Sequence, residues 1–153
     1  MEEISQKPFS IARKSMMLSK FFSLFPQRGK KAILPLSKKD TGKIGENLAR
    51  RYLEKRGYKI IEQNWSTRYG EIDIVAENKD CVALVEVRTK VGEQFGTPEE
   101  TLNYTKMQKV LGNALAYMGR KRTLKPYRID AVCVVLDESR NLQRINHYEN
   151  IVG

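Results

Sequence analysis

The sequence predicts an α/β domain built as a mixed sheet flanked by helices. Three observations point there. Apolar residues recur first at helical spacing, then in three strand-like runs, then at helical spacing again, then in two more strand-like runs. Polar reversals at Glu77-Asn78-Lys79-Asp80 and Asp137-Glu138-Ser139-Arg140-Asn141 separate neighbouring strand-like runs. Capping signals precede both helical patterns.

The elements follow in order. Residues 1–40 read as a basic extension. Within it FSIARKSMMLSKFFSLF has the makings of a short amphipathic helix, and QRGKKAILPLSKKD reads as a linker. Asp40 or Thr41 then caps a helix whose inward residues are Ile44, Leu48, Ala49, Tyr52 and Leu53, and Gly57 ends it. Tyr58–Trp65 is strand-like, with Tyr58, Ile60 and Ile61 as inward positions. Tyr69–Gly70 turns into a hairpin of Glu71–Ala76 and Cys81–Arg88. Thr97-Pro98-Glu99-Glu100 matches a capping box with proline at the first helical position, opening a helix to about Gly119. Its inward face is Leu102, Met107, Val110, Leu111, Ala114, Leu115 and Met118. Ile129–Leu136 and a last run through Tyr148 complete the sheet. The expected organisation is an extension over residues 1–40 and one domain over 41–153.

Composition narrows the function. The 153 residues carry 28 Lys and Arg against 18 Asp and Glu, a net charge of +10. Residues 1–40 hold 9 basic and 3 acidic residues, so the domain itself is only mildly basic. Such a balance favours polyanionic partners, nucleic acid or anionic membrane, over acidic-protein mimicry. Cys81 and Cys133 sit in apolar runs and read as buried free thiols. With one histidine, His147, and no C-x-x-C, zinc chemistry and a histidine-based triad have little to work with. No apolar run is long enough to span a bilayer, and the acidic start MEEISQKPFS lacks a secretory h-region, so the expected location is the cytoplasm.

The hairpin YGEIDIVAENKDCVALVEVRTK carries the chemistry. Residues two apart in a strand share a face, which groups Glu71, Asp73 and Val75 on one strand and Leu84, Glu86, Arg88 and Lys90 on the other. A turn centred on Asn78-Lys79 would set Asp73 opposite Leu84 and Glu71 opposite Glu86, with Asp73 and Glu86 as diagonal neighbours. Two adjacent carboxylates suit a hard divalent cation, Mg²⁺ or Mn²⁺, and a neighbouring cation suits a phosphate. The same alternation also describes a solvated sheet face whose charges pair with one another.

Several segments resemble a known family. TGKIGENLARRYLEKRGYKIIEQNW, YGEIDIVA, ALVEVRTK, FGTPEE followed by Lys106, and YRIDAVCVV occur in order over residues 41–149. They resemble the YraN-like family of small bacterial proteins, within the PD-(D/E)xK superfamily of metal-dependent nucleases that includes Holliday junction resolvases. The resemblance implies a restriction-endonuclease-like fold and an Mg²⁺- or Mn²⁺-dependent endonuclease, a hydrolase of nucleic acid with DNA expected before RNA. It implies Asp73 and Glu86 as metal ligands, with Glu46 as a third acidic group and Glu71 ranked below them. Arg88 and Lys90 fall where the superfamily places its catalytic lysine, and Lys106 and Gln108 are candidate substrate contacts. The sequence departs from the family in one place: the superfamily expects lysine at position 88, and this chain has Arg88 followed by Lys90. Arginine holds phosphate charge but does not release a proton near neutrality. A nucleic-acid-binding module that lost its chemistry, and a partner- or membrane-surface factor acting through residues 1–40, are the alternative readings. The basic stretch 120–128 reads equally as a phosphate contact or a solvated loop, and a homodimer is an assembly the sequence leaves open.

Overall fold

A computed structural model describes residues 37–152. The amphipathic helix and most of the linker expected before residue 37 lie outside the described residues. The first helix, α1 (Lys38–Lys55), starts earlier than expected. Ser37, not Asp40 or Thr41, is its cap. The Ser37 hydroxyl accepts from the Asp40 N–H at 3.2 Å, and the Asp40 carboxylate accepts from the Ser37 N–H at 2.9 Å. Aspartate thus fills the role usually given to glutamate, and two lysines assigned to the linker belong to the first helical turn. Ala49 and Leu53 are fully buried, and Gly57, at φ +84°, ends the helix in the left-handed region.

Five strands follow: β1 (Lys59–Thr67), β2 (Gly70–Glu77), β3 (Val82–Val91), β4 (Tyr127–Leu136) and β5 (Leu142–Tyr148). They lie side by side in chain order. Only β3 and β4 are parallel, as a crossover through the second helix requires. The result is a five-stranded mixed sheet flanked by two helices, the α/β restriction-endonuclease-like architecture expected. That second helix, α2 (Tyr104–Arg120), starts later than expected. Glu99–Thr101 forms a separate 3₁₀ turn, and Asn103 caps α2 by accepting from the Lys106 N–H at 3.0 Å. Val110 and Ala114 face inward as expected, with Asn113 and Tyr117 beside them. Leu115, expected inside, is 59% exposed.

The helices cover opposite faces. Ala49 and Leu53 of α1 pack with Ile74, Ala83, Val85, Val87, Val132 and Val134, whereas Val110, Ala114 and Tyr117 of α2 pack with Val75, Leu84 and Ile129. A bulge between Ile60 and Glu62 throws Ile61 outward, against expectation, while Tyr58 and Ile60 face the core. Cys81 and Cys133 are buried free thiols, and burial pushes the Cys133 thiol up to about 12.

The hairpin register differs by two residues from the expected one. Ile74 pairs with Val85 and Val75 with Leu84. The reversal runs from Asn78 to Cys81, because the Asn78 side chain accepts from the N–H groups of both Asp80 and Cys81. That moves the turn centre from Asn78-Lys79 to Lys79-Asp80. A two-residue shift preserves side-chain parity, so Asp73 and Glu86 still share a face and now stand directly across from one another by continuation of the register.

Candidate metal and phosphate site at the sheet fork

Beyond Ile74 and Val85 the β2–β3 ladder stops, while β3 continues to pair with β4 and β2 with β1. The sheet therefore forks at Asp73 and Glu86. Asn64 of β1, which falls opposite Asp73 in the register, has φ +52° and kinks its strand there. Ile72 then packs with Val75 and Leu84 on the α2 face, although simple alternation would put it with Ile74 and Ala76. The Asp73 carboxylate bridges the fork by accepting from the Val87 N–H at 2.7 Å.

Glu86 is only 4% exposed, and its compensation is cationic. Lys106, in the first turn of α2, places Nζ 2.5 Å from Glu86 Oε1. The delayed start of α2 at Asn103 sets this position. Arg88 stands farther off, with Nη1 at 3.6 Å from the same oxygen, too long for a hydrogen bond. Its Nε donates instead to Thr101 Oγ1 at 2.7 Å, which ties β3 to the 3₁₀ turn. Lys90 turns away, donating to the carbonyls of Phe95 and Gly96 at 3.0 and 2.9 Å. Gln108 is exposed on α2. The basic stretch is largely engaged within the protein: Lys125 binds Glu77 at 2.8 Å and Lys121 lies 3.5 Å from Glu62.

Glu46 is partly buried on α1, and burial, then the charge of Glu71, raises its carboxyl above the usual range. Asp73 is raised further, from 3.8 to about 7. Burial is the largest cause; the charge of Glu86 adds to it, as does that of Glu46, and the Val87 hydrogen bond and Lys106 oppose it. Burial and neighbouring carboxylates thus both oppose ionisation of Asp73 at the fork. The donor set is oxygen-only and suits a hard divalent cation, with Asp73 and Glu86 as the residues that would hold it. Among the described residues, no three His, Cys, Asp or Glu side chains are gathered closely enough to form a complete metal cage.

A second polar cluster lies on β4. Asp130, fully buried, accepts from Arg128 Nε and Nη2 at 2.9 Å each, contacts His147 Nε2 at 2.8 Å, and accepts from the Asn150 N–H at 3.0 Å. Tyr58 and Tyr52 flank His147 edge-on, and the His147 side chain is 2% exposed. The Arg128–Asp130 pair is thus part of a closed network that ties β5 to β4. The inward Asn113, which the sequence analysis did not single out, hydrogen-bonds Thr67 Oγ1 at 2.5 Å and the Glu71 carbonyl at 3.1 Å. A lone asparagine in a helical pattern gives no signal of that role.

Comparison with known proteins identifies the family. A profile of the Uncharacterised protein family UPF0102 matches residues 45–134, which span both carboxylates of the fork and Lys106. A UPF0102 protein of Thermodesulfovibrio yellowstonii is 40% identical over 111 residues, covering 72% of this chain and 94% of the relative. One from Caldanaerobacter subterraneus is 38% identical over 118 residues, covering 75% and 96%. Another, from Alkaliphilus oremlandii, is 40% identical over 115 residues, covering 73% and 97%. No helix among the described residues is long and apolar enough to cross a membrane. The chain belongs to the Uncharacterised protein family UPF0102.

Proposed function

We propose that the chain is a metal-dependent nuclease that hydrolyses phosphodiester bonds in nucleic acid, DNA before RNA, at the fork between β2 and β3. The observation that carries this reading is the Asp73–Glu86 pair, a half-buried and a buried carboxylate set across the fork with Lys106 against Glu86. The resemblance of the hairpin segments to the PD-(D/E)xK nucleases supports it. Mg²⁺ or Mn²⁺ at these carboxylates would supply charge neutralisation and an acidified water. Asp73 and Glu86 would hold the ion, and Glu46, the third acidic group, would help orient its water.

Lys106 resolves the departure at position 88. It reaches Glu86 from α2 and presents the exchangeable ammonium that Arg88 lacks. In this assignment Lys106 handles the proton or the phosphate charge. Arg88 acts as a positioning residue through Thr101, and Lys90 fastens the loop that follows β3.

The test is incubation of the purified chain with branched, single-stranded and duplex DNA in Mn²⁺. The wild type cuts at least one of these, while Asp73→Asn, Glu86→Gln and Lys106→Met lose at least 10²-fold, the scale typical of removing a positioned acid–base or charge-stabilising group. An inert wild type, or an Asp73→Asn protein that cuts equally well, refutes the assignment. The anchoring of Arg88 on Thr101 favours one second reading, a binding module of the same fold without the chemistry. Salt-sensitive binding with no cleavage in any metal selects it.

A further inference from the structure

The outer surface of α2 and the β1–β2 turn enclose an open groove of about 420 Å³ that the fork does not use. Its walls are Trp65 and Tyr69, both aromatic, with the guanidinium of Arg68 4.7 Å above the Tyr69 ring and that of Arg120 5.8 Å above Trp65. Leu115 and Gly119 also line it, and among the described residues no carboxylate does. Two large apolar groups are open to solvent here: Leu115 is 59% and Tyr69 48% exposed.

Gly119 adds a second line of argument. A Cβ there would meet nothing within 4 Å, so no packing among the described residues calls for glycine. Glycine is nevertheless a weak helix former, and this one lines the groove.

We infer that this groove binds an unpaired stretch of nucleic acid, with bases stacked on Trp65 and Tyr69 and phosphates held by Arg68 and Arg120. Two aromatic faces and two arginines with no acid among them match what a single strand offers: flat π-faces alternating with negative charge. A paired base shows only its edge, so a duplex does not fill the groove. The groove also has a physical connection to the fork. Asn113 accepts from Thr67, a groove residue, and donates to the backbone carbonyl of Glu71, two residues before Asp73, so one buried side chain joins the groove to the strand that carries Asp73. The inference extends the proposed function by naming its substrate class as nucleic acid with unpaired nucleotides, and it rests on that reading only for the cleavage step.

Trp65 is the only tryptophan in the chain, so its fluorescence reports the groove directly. The experiment is a titration of the full chain with a dT12 oligonucleotide in EDTA, where no metal-dependent cleavage occurs. The expected result is saturable quenching that weakens with salt, falls roughly tenfold or more in affinity in Tyr69→Ala and in Gly119→Leu, and loses salt slope by about 0.7 in Arg120→Gln. A thermal melt of Gly119→Leu checks that the fold persists, and Arg120→Gln keeps the test decisive if it does not. The proposal is overturned if dT12 does not quench, or if both Gly119→Leu and Arg120→Gln bind like wild type. It also falls if a duplex of equal length, heparin or anionic phosphatidylglycerol vesicles quench as strongly. Quenching without cleavage in Mn²⁺ keeps the groove and sinks the nuclease; cleavage without quenching does the reverse.

Discussion

Gly45 lies where α1 crosses β3, and replacing it by alanine sets two effects against each other. An added Cβ would sit 1.8 Å from Thr89 Oγ1, 2.8 Å from Thr89 Cβ and 2.9 Å from Thr89 Cγ2. Carbon contacts need ~3.5–4.0 Å, so α1 must move outward by about 1 Å. Rotating Thr89 does not clear the clash, because its Cβ is itself too close and its branched side chain is stiff. Alanine gains about 1 kcal/mol of helix propensity over glycine, whereas overpacking of this kind costs about 1–3 kcal/mol. The clash wins. With two carbons inside 3 Å the clash falls at about 2–3 kcal/mol, so Gly45→Ala should destabilise by about 1–2 kcal/mol, lowering the melting temperature by roughly 5–10 °C. Thr89→Ala removes both the clash and a buried hydroxyl with no hydrogen-bond partner. In the double variant the propensity gain is therefore realised, and the two changes couple by about 2 kcal/mol. Urea denaturation of the four proteins, followed by circular dichroism, reads all of this. A neutral or stabilised Gly45→Ala, or strictly additive changes, refutes the claim that contact with Thr89 requires glycine.

Three further outcomes follow from the charged groups. Asp73 keeps its proton to about pH 7 when folded but only to 3.8 when unfolded, so its stability contribution is complete below pH 3.8 and is lost as pH rises to 7. In EDTA, the stability advantage of Asp73→Asn over wild type should grow by about 2 kcal/mol between pH 5.5 and pH 8 in urea titrations; an advantage independent of pH contradicts the charge tension at the fork. Lys106→Met leaves the buried Glu86 with only the distant Arg88 and should cost about 2 kcal/mol or more at pH 7 by the same measurement. Burial opposes ionisation of Asp130, but His147, Arg128 and the Asn150 N–H outweigh it and hold its carboxyl below the usual range. Its contribution is thus present above pH 3.8 and lost as pH falls through the lower folded value. Asp130→Asn should cost about 3–5 kcal/mol at pH 7, with a smaller loss in acid, as thermal melts at the two pH values would reveal.

Much of this was legible in the sequence because periodicity carries it. Ala49 and Leu53 announced the inward face of α1, and the alternation through Glu71–Ala76 and Cys81–Arg88 put Asp73 and Glu86 on one face. The register was not legible: a single side chain, that of Asn78, moves the turn centre by one residue and the pairing by two. Lys106 was legible as a candidate substrate contact, but its pairing with Glu86 was hidden for a similar reason. Lys106 meets Glu86 only because the capping box at Thr97 yields a 3₁₀ turn and Asn103 starts the helix anew. The aromatic groove joins residues about 50 positions apart, Trp65 and Leu115 among them, which no local pattern connects.

The bridge from Asp73 to the Val87 N–H has a consequence for solubility. Past the fork, β3 turns one edge away from β4 with no strand beside it among the described residues, the kind of border on which a foreign chain can add itself as an extra strand. Asp73 occupies the first donor of that border, and Lys90 secures the following loop through the Phe95 and Gly96 carbonyls. A carboxylate assigned to chemistry therefore also guards against aggregation. An alanine at this position would free the border at the same time as it removed the charge, so its effects on aggregation and on the proposed chemistry would be confounded. Asparagine retains an acceptor for Val87 and separates them.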